Sequence, residues 1–285
     1  MQDASESFAR PKVARRRRAN AEWTHRFPDH HLEEAQCFRC DRRGETRLTV
    51  APFQLVDCPD CGQSFVSPRL NEEGRAGLYG DSAYFDDGVY GSKFAHTLQR
   101  TWIDARLDWI ESNHHNGDAG SMLEIGCAYG LFLEGAAERG YSVHGLEFSE
   151  TAATAASRRL GTPIATGEID DLVGDNVSDV VAAWDVIEHV SDPRAFLDKA
   201  YELIAPGGML ALSCPNAGSL AARVLGRRWW NLKLDRHIWQ FTADDLQRLL
   251  TEAGYENITL HANPMRRVNF GRIDSLFAAA QRPLN

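Results

Sequence analysis

Cysteine and methionine are scarce in this chain, at six and four of 285 residues. Six cysteines spread so thinly exclude the dense crosslinking of a small secreted scaffold. No apolar run approaches the roughly 18 residues a membrane helix needs, and the early arginines lead into Ala19-Asn20-Ala21-Glu22-Trp23 rather than a secretory apolar stretch. The expected setting is reducing cytoplasm, with no membrane partner. Positive charge is also in deficit: 31 Lys and Arg stand against 40 Asp and Glu, a formal net charge of -9. Six of those bases (Arg10, Lys12, Arg15, Arg16, Arg17, Arg18) lie at the start, so the remainder is more acidic still and repels polyphosphate, which disfavours a nucleic-acid partner. The arginine run has no interleaved aromatics and reads as a solvated, disordered basic tail over residues 1–30.

What the chain does have is an ordinary globular balance, 43% hydrophobic and 25% charged, at a length that suits one large domain with an appendage. Four of the six cysteines are grouped. Cys37-x2-Cys40 and Cys58-x2-Cys61 lie 17 residues apart, a zinc-ribbon spacing. Two residues between cysteines let one tight turn aim both thiolates at a single ion, and two such turns complete a tetrahedral shell. Gly62 after the second pair relieves its turn. Four unrelated buried thiols, or a redox pair, are the plainer alternatives. A four-cysteine site is coordinatively full, so the zinc expected from Cys37, Cys40, Cys58 and Cys61 is structural and lets a lobe over residues 31–69 fold. Residues 70–116 read as a linker or lid followed by a helix from Lys93 to Asn116, with Phe94, Leu98, Trp102, Ala105 and Trp109 on one face.

Residues 117–285 alternate strand and helix: strands at Met122–Ile125, Tyr141–Glu147, Thr162–Thr166, Asp179–Trp184 and Met209–Cys214, and helices at Gly130–Arg139, Glu150–Leu160 and Pro193–Ile204. That order predicts an α/β, Rossmann-like doubly wound, mostly parallel sheet carrying the small N-terminal zinc-ribbon lobe. Thr242 with Asp245 is a capping box opening a helix to Ala253, and Tyr255–His261 alternates like a strand. Beyond Asn263 the pattern assigns no further strand.

The chemistry gathers at strand ends. Met122-Leu-Glu-Ile-Gly-Cys-Ala-Tyr-Gly130 puts Glu124 before a turn of small residues, Gly126, Ala128 and Gly130, where backbone can approach a ligand. It lacks the G-x-G-x-x-G of a nicotinamide site. Glu147 ends the next strand in Gly-Leu-Glu-Phe-Ser, placed to take both hydroxyls of a ribose. Then come Gly167-Glu-Ile-Asp-Asp171, Trp184-Asp-Val-Ile-Glu-His-Val190, Pro206-Gly-Gly208 and His237-Ile-Trp-Gln-Phe-Thr242.

Taken in order, these motifs resemble the class I S-adenosylmethionine-dependent methyltransferases, in the small-molecule branch allied to the ubiquinone methylases, over about residues 93–261. Ala128 departs from the family's middle glycine. The resemblance implies that Glu124 lies by the amino-acid end of S-adenosylmethionine, that Gly126, Cys127, Ala128 and Gly130 curl under it, and that Glu147 with Phe148 holds the ribose. It places Glu168 and Ile169 at the adenine and Asp185 beneath the sulfonium. It implies methyl transfer to oxygen, nitrogen or carbon of a small-molecule acceptor. Proton removal near neutral pH favours histidine, so His189 and His237 are the candidate bases; fixing its loop is the weightier role for His189. Tyr79, Tyr84 and Phe85 could close over the cofactor as a lid, with Tyr84 in the binding set, or pack the joint between lobes. Tryptophans in the insertion Ala217–Gln240 would line an acceptor pocket if exposed, or a satellite core if buried. Cys214 reads as a buried strand thiol. Two other functions fit the same residues: an RNA methyltransferase gripping through ribbon and tail, and a non-catalytic nucleoside-binding scaffold.

Overall fold

The computed structural model describes residues 28–80, 93–114, 120–172, 178–261 and 274–284. Nearly all of the expected basic tail, and Tyr84 and Phe85, lie outside them. The N-terminal lobe begins with β1 (Leu32–Glu33), followed by β2 (Glu45–Val50), β3 (Phe53–Asp57) and β4 (Ser64–Val66), an antiparallel meander. Next, β5 (Arg69–Leu70) returns to pair with β1 and leads into α1 (Glu72–Gly80). Phe53 and Leu55 of β3 turn inward at the two-residue period of a strand.

Helix α2 (Lys93–Asn113) precedes the body. Its buried stripe is Ile103, Leu107, Trp109 and Ile110; of the expected face Trp109 is buried, while Trp102 and Ala105 are only partly covered. The stripe is turned partway from the expected face, toward Ile103 and Leu107, where the helix packs with Phe132, Ala136 and Trp184.

The body runs β6 (Ser121–Ile125), α3 (Leu131–Glu138), β7 (Ser142–Glu147), α4 (Glu150–Leu160), β8 (Ala165–Thr166), β9 (Ser178–Trp184), α5 (Pro193–Leu203) and β10 (Ile204–Pro215). It continues with α6 (Leu220–Leu225), β11 (Trp239–Gln240), α7 (Ala243–Glu252), β12 (Glu256–His261) and β13 (Ser275–Gln281). Its seven-stranded sheet has the order β12-β13-β10-β9-β6-β7-β8. Strands β6 to β10 pair in parallel, and β13 is wedged antiparallel between β10 and β12. The expected doubly wound α/β architecture is what forms. Strand β9 shows why: Val180, Ala182 and Trp184 point into one core while Val181 and Ala183 point into the other, so the strand is apolar on both faces and helices must cover both. Caps fix the helix starts: Asp192, just before Pro193, accepts from the N–H groups of Arg194 and Ala195, and Thr242 and Asp245 make the expected reciprocal box.

Strand β13 fills the stretch that carried no strand pattern. Its residues Leu276 to Ala280 are all buried, so polar alternation is missing, and three alanines give little β signal of their own.

Strand β11 belongs to a different sheet from its neighbours. It adds to the ribbon's meander as a fourth strand, in the order β11-β4-β3-β2, with Trp239 opposite Phe65 and Gln240 opposite Ser64. One continuous apolar cluster therefore runs from Cys37, Leu55 and Phe65 in the lobe to Ile187, Ile238 and Phe241 in the body.

Candidate functional site

In an open parallel sheet, ligands gather where crossovers diverge, at the carboxyl ends of the strands. Here that point lies at the end of β6, between β7 and β9. The turn leaving β6 has Gly126 at φ +74, Ala128 at +47 and Gly130 at +73. Any Cβ on Gly126 would stand 2.8 Å from Val186 Cγ2, so this position excludes a side chain on sterics as well as on backbone angle. The N–H groups of Gly126 and Cys127 donate to Leu146 O at 2.8 and 3.1 Å, tying the turn to β7. The Cys127 side chain packs among Leu133, Ala153, Ala156 and Ile164, so only its backbone faces the turn, and burial pushes its thiol far above the usual range.

Glu147, 7% exposed, accepts from Ala128 N–H at 2.8 Å through Oε2 and from Ser149 N–H at 2.9 Å through Oε1. Burial holds its carboxyl above the ordinary range, against those bonds. Phe148 beside it is 40% exposed. Glu124, 4% exposed, is pushed up to about 8 by burial, with Arg106 opposing and Glu147 adding to the shift. Its Oε2 accepts no hydrogen bond among the described residues. Across the crevice Asp185, at φ +56, accepts from Ser213 Oγ at 2.9 Å, and its Oδ2 lies 3.9 Å from Arg106. Glu168 caps the 3-10 turn Ile169–Asp171 and lies 3.8 Å from Arg75, while Ile169 is buried.

Arg106 is the residue the sequence reading passed over. It rises from α2 with its guanidinium 4.5 Å from the Trp184 ring centroid, between Glu124 and Asp185. A lone arginine beside the buried stripe of a helix was the available signal, and nothing local separates it from a solvated charge.

The two candidate histidines come together although 48 residues separate them in the chain. Their rings stack edge-on at 4.9 Å. His237, 6% exposed, has Nδ1 at 2.8 Å from Asn231 O. A carbonyl only accepts, so Nδ1 carries the proton and the lone pair is on Nε2. Burial, reinforced by His189, holds His237 well below the usual imidazole value; burial and Arg236 lower His189 to about 4. Both rings are neutral near pH 7. Glu188, His189 and His237 each bring a ligand atom within 4.8 Å of the others. In the insertion, Trp229 and Trp239 are buried and Trp230 is 41% exposed. The Trp229 indole donates to Asp274 at the head of β13, and Asn231 Nδ2 donates to the same carboxylate at 3.2 Å. Cys214 is fully buried in β10.

The four cysteines of the lobe also converge, with ligand atoms within 4.8 Å of one another and Cys37 Sγ 3.5 Å from Cys61 Sγ. The two turns are built alike: Asp41 N–H donates to Cys37 O, Gly62 N–H donates to Cys58 O, and Asp41 and Gly62 both take positive φ, 51 and 76. Burial pushes the Cys37 thiol up to about 12, and hydrogen bonding with Cys61 raises Cys40 to about 11. Burial raises Cys58, but hydrogen bonds from the N–H groups of Cys61 and Asp60 and from the Cys61 and Cys37 thiols together bring it below its ordinary value. Protons are crowded here, and a soft dication replacing them matches the donor set.

A doubly wound sheet with a glycine turn and two buried carboxylates at its switch point defines a nucleoside-binding, Rossmann-like class. Comparison with known proteins narrows it: the profile of the methyltransferase domain family matches residues 94–260, and the chain belongs to that family. Ubiquinone biosynthesis O-methyltransferase of Psychrobacter arcticus is 30% identical over 194 residues, 57% of this chain and 76% of the relative. The enzyme of the same name from Azoarcus sp. is 29% identical over 205 residues, 62% of this chain and 87% of the relative. The fold is shared with magnesium protoporphyrin IX methyltransferase from Synechocystis PCC 6803, solved with bound SAH, at TM-score 0.56 and 18% identity, covering 74% of this chain and 100% of that one. This is an S-adenosylmethionine-dependent methyltransferase. Among the described residues no helix is long and apolar enough to cross a membrane.

Proposed function

We propose that the enzyme methylates a hydroxyl group on a small biosynthetic intermediate. The observation that carries this reading is the neutral, nearly buried His237, whose Nδ1 is committed to Asn231 O, leaving the lone pair on Nε2, in a cluster with His189 and Glu188. Relatives named as ubiquinone biosynthesis O-methyltransferases support oxygen as the atom methylated. S-adenosylmethionine supplies an electrophilic methyl on a sulfonium. The chain's own part is to bind, align and take a proton. Glu124 would offer its Oε2, which accepts no hydrogen bond among the described residues, to the cofactor's ammonium, and Arg106 would offer its guanidinium to the neighbouring carboxylate. When the cofactor binds, Glu147 would hold its ribose, Glu168 and Ile169 would flank its adenine, and Asp185, steadied by Ser213, would lie toward its sulfonium end. The lone pairs of Glu147 left over from its two N–H donors would accept from ribose hydroxyls. His237 Nε2 accepts the acceptor's hydroxyl proton, and His189 packs against the ring that does so. A divalent cation held by Glu188, His189 and His237 is the second reading, favoured by their mutual reach.

Cys37, Cys40, Cys58 and Cys61 hold a structural zinc ion, which keeps the lobe over residues 31–69 folded and suits a reducing cytoplasm. The test of function is a panel of hydroxylated small acceptors incubated with labelled cofactor, with total tRNA as comparator. Methylation confined to RNA would overturn the small-molecule reading. Transfer that a chelator abolishes while the cysteine site keeps its zinc would assign the cation in place of the base.

A further inference from the structure

Strand β11 is supplied by the methyltransferase body yet completes the sheet of the cysteine lobe, and it begins two residues after His237. We propose that the cysteine lobe is a positioning module for the acceptor side: its metal loading sets where His189 and His237 sit, and the cofactor turn is independent of it. The proposal rests on the zinc reading above.

The connection can be followed bond by bond. The second cysteine turn closes through Cys58 N–H donating to Gln63 O at 2.9 Å, which fixes Gln63 against the metal site. The Gln63 side chain is fully buried and donates through Nε2 to Gln240 O at 2.9 Å. Val66 N–H donates to Ile238 O at 2.9 Å, so the ribbon grips the chain on both sides of Trp239. From the first cysteine turn, Phe38 meets the Trp239 ring edge-on at 4.9 Å, and Phe65 lies against the same ring at 5.5 Å. Arg39, between Cys37 and Cys40, pairs with Glu252 and donates to Asp245 O at 3.2 Å on α7.

Trp239 passes the constraint onward. Its backbone N–H donates to Glu188 O at 3.2 Å and its indole to Val190 O at 2.9 Å, straddling His189. Gln240 Nε2 donates to His237 O at 2.8 Å. Both histidines are thus held through one two-residue strand whose sheet partners are ribbon residues. The cofactor turn is tied elsewhere, to Leu146 and Glu147 of β7. A lobe this small keeps little structure without its metal. Losing it removes β4, and β11 then has no partner in its sheet.

The experiment uses the full chain under reducing conditions, as purified, stripped with a chelator, and reloaded with zinc. Hydrogen exchange at residues 237–241 and 187–190 should quicken more than tenfold on stripping and recover on reloading. Exchange at 122–130, and SAH affinity by calorimetry, should stay within about threefold. Unchanged exchange at 237–241, or SAH binding lost in parallel, overturns the proposal. A chain that takes up no zinc removes its premise and the zinc reading together. Gln63→Met separates the link from the metal: at full zinc content it should still loosen 237–241 and shift the His237 ring nitrogen resonances away from a fixed Nδ1–H tautomer. Unaltered His237 resonances in zinc-loaded Gln63→Met overturn the link even if the metal is confirmed.

Discussion

Glu147 closes the cofactor turn on itself, taking the N–H of Ala128, 19 residues earlier, at 2.8 Å on one oxygen and that of Ser149 on the other. A carboxylate so placed preforms the turn before any nucleoside arrives. Glu147→Ala should weaken SAH binding by about 1.5 to 3 kcal/mol, through loss of charged hydrogen bonds. Glu147→Gln keeps one acceptor oxygen and should lose less. Equal affinities by calorimetry for all three proteins would remove Glu147 from the binding set.

Ala128 holds φ +47 in the turn leaving β6, a backbone angle that favours glycine. A non-glycine residue there carries a conformational cost of about 1 kcal/mol. Ala128→Gly should therefore raise the melting temperature by a few degrees. SAH affinity should be retained or improved, and a lower melting temperature would show that the methyl is packed to advantage.

Glu124 couples stability to pH. Its folded carboxyl titrates near 8, above the ordinary 4.5, so the folded state binds its proton more tightly than the unfolded chain does. Stability from this group is complete below about 4.5 and is lost as pH rises through 8. Glu124→Gln should flatten that decline and melt higher than the parent at pH 8 in the absence of cofactor. It should also weaken cofactor binding, since a neutral amide cannot meet an ammonium as a carboxylate does. In the parent protein, SAH binding at pH 7 should release protons, which calorimetry in two buffers of different ionisation heat detects. No release would place the ammonium elsewhere.

His237→Ala should lower turnover by roughly 10²- to 10⁴-fold, the usual range for a removed proton acceptor, while SAH affinity changes little. Because burial holds the His237 ring well below its ordinary value, the parent rate should show no fall from this group between pH 6 and 8. An acidic limb near 6.5 in the parent that vanishes in the variant would contradict the buried, neutral ring.

Much of this fold was legible because its determinants are local. The alternation of β6, α3, β7 and α4 follows from apolar period, the capping box at Thr242 and Asp245 from a four-residue pattern, and the doubled Cys-x2-Cys from spacing alone. What escaped is what depends on distant partners. Strand β13 is apolar on both faces because Leu276, Ala278 and Ala280 pack into one core and Phe277 and Ala279 into the other, and no local alternation records that. Trp239 and Gln240 resemble any short run before a capped helix, and only the pairing with Phe65 and Ser64 reveals their sheet. Arg106 acquires meaning from Glu124 and Asp185, 18 and 79 residues away in the chain. The meeting of His189 with His237 is likewise tertiary.

The wedge position of β13 also constrains how the molecule is made. A nascent chain can zip β6 to β10 together in the order they leave the ribosome, but β12 then emerges with no neighbour to dock on. Strand β10 meanwhile presents a raw apolar rim. Both edges stay open until residue 281 has been synthesised, so ribosomal stalling or premature termination inside β13 should yield sticky, aggregation-prone fragments.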